Sequence, residues 1–185
     1  MKPVLAALAL LFVGSCGHSP PTRFFTLDPV PPARPPLRHG LAPLQIGAVH
    51  IPATLDRPEF VTHSAANRLT LSERDQWAAP LAELIGNALA RDLTARLPQG
   101  SVIPANAVAP SNARILTLDV LALSVSATGI SFQARWSLLA PDKSRPLLSR
   151  DVTLTTSGGS ATAAQATGLS RLVGELADSI AASLS

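Results

Sequence analysis

Between residues 130 and 138 the apolar side chains of Ile130, Phe132, Ala134, Trp136 and Leu138 alternate with Ser131, Gln133, Arg135 and Ser137. An extended strand turns successive side chains to opposite faces, so this run reads as a β-strand with one face in a core and the other in water. Such a strand cannot stand alone, and the flanking sequence supplies its neighbours. Arg114 to Ala127 leads into it through Thr128-Gly129, and Leu147 to Thr156 follows it through Pro141-Asp142-Lys143-Ser144. The spacing predicts a three-stranded antiparallel meander.

Two segments change the period from two to three and four. In residues 79–97 Leu81, Leu84, Ile85, Ala88, Leu89, Leu93 and Leu97 form one stripe, with Pro80 suited to the first turn and Pro98 and Gly100 to stop the helix. Glu83, Arg91 and Asp92 are assigned to its wet side. Ala161 to Leu184 is a second helix, with its stripe on Leu169, Leu172, Val173, Leu176, Ile180 and Leu184. Leu44 to Ile51 reads as a first strand ending at Pro52. Glu59 to His63 and Arg68 to Leu71 read as a hairpin around Ala65-Ala66-Asn67, where Asn67 tolerates a left-handed backbone. The fold class that follows is α+β, a mostly antiparallel sheet with two amphipathic helices packed on one face.

The first 16 residues carry a different signal. Lys2 is followed by ten apolar residues, Val4 to Val13, a run too short to cross a bilayer, which takes about 20. Val13, Gly14 and Ser15 then place small residues and a branched apolar one before Cys16, the pattern cut by a lipoprotein signal peptidase. Cys16 is the one cysteine of the chain, so an intramolecular disulfide is excluded. Lipid on Cys16 supplies several acyl chains, each buried methylene contributing about 0.8 kcal/mol, which makes anchoring to the membrane close to permanent.

The expected organisation is a signal peptide at 1–15, a lipidated and proline-rich tether at 16–43, and one domain at 44–185. Eight of the 17 prolines lie between Gly17 and Pro43, and as polyproline II that segment could reach about 80 Å. The adjacent Phe24 and Phe25 are costly to leave in water, so they are expected to pack on the domain or on a neighbouring subunit. The formal net charge is +3, one less without Lys2, with basic residues scattered singly and no tyrosine. That distribution argues against a nucleic acid partner.

No catalytic constellation emerges. His18, His39, His50 and His63 are dispersed with no metal-ligand spacing, so neither a metal nor another cofactor is expected. Ser157-Gly158-Gly159-Ser160 lacks the lysine of a phosphate loop and reads as a flexible turn. Asp56 and Glu59, with Arg57 and Pro58 between them, read as an ion-paired turn rather than an acid/base pair. The chain is expected not to be an enzyme.

Phe24-Phe25-Thr26-Leu27-Asp28-Pro29 after the cysteine, then Ile46-Gly47-Ala48-Val49-His50-Ile51-Pro52, Leu55-Asp56-Arg57-Pro58, and Trp77-Ala78-Ala79-Pro80-Leu81 opening a helix, resemble the ABC-type transport auxiliary lipoprotein family, the PqiC-like lipoproteins. Phe24 and Phe25 stand where tyrosines are usual. The resemblance implies a non-enzymatic accessory lipoprotein that works with an MCE-domain protein of an ABC lipid transporter to move phospholipid-like molecules between membranes. It also implies ring-like self-association. Gly17 in place of an aspartate after Cys16 implies outer-membrane residence, facing the periplasm.

Three surfaces are candidates for partner or oligomer contact. Leu55, Asp56, Arg57 and Pro58 form a turn that fits an interface or a purely structural role equally well. Trp77 reads as a core or staple residue before an anchor. Phe24 and Phe25 could latch one subunit onto the next. Other readings of the whole chain are an assembly factor for lipopolysaccharide, polysaccharide or secretion machinery, and a lipid-binding carrier, which needs an apolar cavity.

Overall fold

A computed structural model describes residues 20–37 and 41–184. Val13, Gly14, Ser15, Cys16, His18 and His39 lie outside the described residues. The expected meander is present as β6 (Arg114–Val125), β7 (Gly129–Leu139) and β8 (Pro146–Ser157), antiparallel in sequence order. Along β7 the alternation resolves as read: Ile130, Phe132, Ala134, Trp136 and Leu138 are buried while Gln133 and Arg135 are exposed. Across the wet face Arg135 pairs with Asp151 at 2.6 Å and Ser137 meets Ser149 at 2.9 Å, joining β7 to β8.

Two more strands complete this sheet, β2 (Leu44–His50) and β5 (Val102–Ile103), in the order β5-β2-β6-β7-β8. The sheet is mixed, because β2 runs parallel to both β5 and β6. Parallel neighbours need a long crossover, and between β2 and β6 a hairpin and a helix supply it. The β2–β6 register shifts between Ile46 and Val49, and within that stretch a Cβ on Gly47 would stand 2.7 Å from Ile115 Cγ2.

Helices α1 (Leu81–Arg96) and α2 (Thr162–Ser183) form where the two stripes were read. A Cβ on Gly86 of α1 would meet Val49 of β2 at 3.3 Å, and one on Gly168 of α2 would meet Ile130 at 2.6 Å. α1 thus packs on β2 and α2 on β7 of the five-stranded sheet. The core between them includes Leu44, Ile46, Ile85, Leu89, Leu118, Trp136, Leu172 and Ile180, each at most 3% exposed.

A second sheet of three strands, in the order β1 (Arg23–Phe25), β4 (Arg68–Trp77), β3 (Glu59–Ala65), is built on the expected hairpin. β3 (Glu59–Ala65) and β4 (Arg68–Trp77) turn at Asn67, which takes the left-handed conformation at φ 60°. β4 runs further than its apolar pattern indicates, past an irregularity where Ser72 Oγ accepts from the Asp75 amide at 2.9 Å, and ends in the buried Trp77. Against it lies β1 (Arg23–Phe25), parallel, inside the segment read as a tether. Side-chain alternation splits the phenylalanine pair. Phe25 turns inward, its ring 6.1 Å from that of Phe60, while Phe24 points outward and is 65% exposed.

Candidate functional site

The chain from Leu27 to Leu37 forms a strap across both helices. Leu27 is fully buried, and its carbonyl accepts from Arg91 at 2.6 Å. The Asp28 amide donates to Ser170 Oγ of α2, and the Val30 amide donates to Asp92 Oδ1 at 2.7 Å. Val30 itself sits over Gly174, where a Cβ would come within 2.7 Å of the valine Cβ. At the far end the Leu37 amide donates to the Arg96 carbonyl at 2.9 Å.

Arg96 is the centre of this fastening. Its guanidinium, 3% exposed at the residue level, grips Asp178 of α2 through Nε and Nη2 at 2.7 and 3.1 Å. The same group donates to the strap carbonyls of Val30 and Pro31, at 3.0 and 3.3 Å. Asp92, one turn earlier, is fully buried and 3.7 Å from Arg96. Burial raises its pKa above the usual aspartate value, against the opposing hydrogen bond from Val30 and the charge of Arg96. Among the described residues its Oδ2 has no hydrogen-bond partner. Placing Asp92 on the wet side of α1 is thus corrected. The stripe contained the signal, since Ala88, Asp92 and Arg96 follow one another at four-residue steps on the apolar face. A carboxylate and a guanidinium in that stripe mark a buried pair with something polar above it, here the strap backbone.

The other end of the segment is held by Asp75, 4% exposed, which receives Arg23 in a two-pronged pair at 2.7 and 2.8 Å and the Thr162 hydroxyl at the start of α2. The hydrogen bonds from Arg23 lead the causes that hold Asp75 below the usual carboxylate range, against the desolvation that raises it. Trp77 is 6% exposed and lies 4.5 Å from Phe60, ring to ring, so it is core, with the Phe25 ring at the edge of the same cluster.

The Leu55-Asp56-Arg57-Pro58 turn is split in the same way. Leu55 is buried in the core while Asp56 and Pro58 are exposed. The turn is closed by the Leu55 amide on the Pro52 carbonyl, and the Pro58 carbonyl accepts from Trp77, which fixes it to β4. The ion-paired turn read from the sequence is not formed: among the described residues no ion pair involves Asp56, Arg57 or Glu59. Beside the turn is a shallow groove of about 220 Å³, lined by Leu55, His63, Leu69 and Leu121.

Among the described residues no group of three His, Cys, Asp or Glu side chains could hold a metal ion. His50 Nδ1 lies 2.7 Å from Asp119 Oδ1 on the exposed sheet face, and His63 stands apart from it on the hairpin. Gly158 of the Ser157–Ser160 turn is packed against the backbone of residues 126–129, and the Gly159 carbonyl accepts from Gln165. The turn therefore seats the start of α2. The arrangement as a whole offers contact surfaces and a fastened leader.

The family model for the ABC-type transport auxiliary lipoprotein component matches residues 25–181. The chain belongs to this family. The match begins inside β1 and so takes in the strap with the body. A solved structure of an uncharacterised protein superposes with a TM-score of 0.71 at 14% identity, covering 90% of this chain and 100% of the other. A protein of Xanthomonas campestris described as DUF330 superposes with a TM-score of 0.72 at 15% identity, covering 88% of this chain and 95% of the other. At such identities the likeness is one of fold. No curated protein matches the chain. Among the described residues no helix is long and apolar enough to cross a membrane.

Proposed function

We propose that this member of the family is a lipid-anchored, periplasm-facing accessory subunit of an MCE and ABC-type intermembrane lipid transport system, held in the outer membrane through Cys16. It acts by docking the MCE-domain partner and by self-association, without catalysis. The observation that carries this reading is the family match over residues 25–181, behind an apolar signal segment that ends in the one cysteine of the chain. The geometry agrees with a docking role. The cleft between α1 and β2, lined by Ile46, Val49, Ala82 and Gly86, holds about 210 Å³, below the about 300–1,000 Å³ of pockets for drug-sized molecules. Two wider surface grooves, one beside Leu37 and Leu97 and one beside Gln45 and Thr117, hold about 570 and 440 Å³.

The surface assigned to the partner is the exposed Asp56 and Pro58 with the partly buried Arg57 between them. The test is a pull-down of the lipidated chain from detergent-solubilised envelopes, with the bound protein identified by mass spectrometry. An MCE-domain protein is expected; its absence alongside recovery of polysaccharide or secretion machinery would overturn the assignment. Arg57→Glu is expected to weaken that capture while the melting temperature stays unchanged, because among the described residues Arg57 makes no ion pair.

A further inference from the structure

The strap shortens the leash between the domain and its anchor. A free polyproline tether over residues 17–43 would reach about 80 Å. In the structure Arg23 is already fixed to Asp75, and the chain is fastened from there to Leu37. Between Cys16 and Arg23 stand six residues, Gly17 to Thr22, which span at most about 25 Å at full extension. The β1 edge of the three-stranded sheet is then the part of the domain closest to any membrane that holds Cys16.

Phe24 stands on that edge. Strand alternation commits Arg23 to Asp75 and Phe25 to Phe60, leaving the Phe24 ring outward, 65% exposed and eight positions from the cysteine. A large ring left in water is unfavourable, and the short leader brings a lipid surface to it before any other body. We propose that the β1 edge is a membrane-contacting surface, with Phe24 seated at the boundary between headgroups and acyl chains. This rests on the lipid-anchored reading above. The strap then has a role beyond stability, since it fixes which side of the domain faces the bilayer.

Tryptophan fluorescence tests this in the full, lipidated chain, because Trp77 and Trp136 are 6% and 0% exposed and report little from the surface. Phe24→Trp would be reconstituted into vesicles of phosphatidylethanolamine and phosphatidylglycerol, with and without brominated acyl chains. The expected result is a blue shift of the new indole and loss of its emission on brominated lipid, with the unsubstituted chain unaffected. An indole that keeps the emission of a water-exposed ring overturns the proposal. A blue shift without quenching also overturns it, since the ring is then covered by protein, such as a second copy. Intact-mass measurement separates the two levels: a chain without acyl mass on Cys16 removes the anchored reading, whereas an acylated chain with an unquenched indole removes this proposal alone.

Discussion

Arg96 and Asp92 show how one buried pair can join two helices and a leader. A buried charge tolerates desolvation only when its donors are satisfied, and Arg96 meets that condition with Asp178 and two strap carbonyls. Arg96→Ala leaves Asp92 and Asp178 without their cation and is expected to cost about 3–5 kcal/mol in urea unfolding. Two aspartates then make opposite predictions for pH. Asp92 has a raised pKa in the fold, so its contribution to stability is greatest in acid and is lost as pH rises from the usual aspartate range through the raised value. Asp75 has a lowered pKa, so its contribution is present above the usual range and is lost as pH falls through the lowered value. Melting temperatures of Asp92→Asn relative to the unsubstituted chain should therefore climb between acid and neutral pH, while those of Asp75→Asn should fall; parallel slopes would contradict both assignments. Charge alone assigns Asp92 to the wet side, whereas its four-residue step from Ala88 puts it on the apolar face.

At the scale of elements, local periodicity made β6, β7, β8 and both helices legible to within a few residues, because their burial is one-sided and repeats along the chain. Asn67 was legible for the same local reason. What stayed hidden depends on contacts distant in sequence: that β2 is parallel to its neighbours, that the hairpin separates into its own sheet, and that a proline-rich leader supplies both a strand and a strap. Proline excludes the strap from a helix or a central strand, but it does not stop side chains such as Asp92, Arg96 and Ser170 from meeting its backbone. The fit at Gly174 gives a direct test of that docking. Gly174→Leu places side-chain atoms where Val30 packs, against a Cβ approach of 2.7 Å. Limited proteolysis within residues 20–37 should accelerate relative to cleavage elsewhere, with helix content by circular dichroism retained. Equal protection in both chains would mean that the strap finds another seat.

For the molecule as a whole, the boundary between leader and domain becomes a question of energy. Read from composition, the domain starts at residue 44, and a chain of residues 44–185 should then be as stable as one of residues 20–185. The contacts argue otherwise. Removing the leader opens the site filled by the fully buried Leu27, and loss of a buried leucine side chain typically costs about 2–5 kcal/mol. It also takes the Val30 donor from Asp92, leaving a buried carboxylate with less support, and strips Phe25 from the ring cluster of Phe60 and Trp77. Arg96 keeps Asp178, which limits the damage. A combined loss of about 3–5 kcal/mol is a large share of the 5–15 kcal/mol that holds a typical domain together. The shortened chain is therefore expected to unfold at clearly lower urea concentration, with a melting temperature that a separately added peptide of residues 20–37 raises again in a concentration-dependent way. Coincident unfolding curves for the two chains would make the strap a passenger. If the curves separate, the proline-rich segment is part of the core, and its loss is felt by the two helices that the strap crosses.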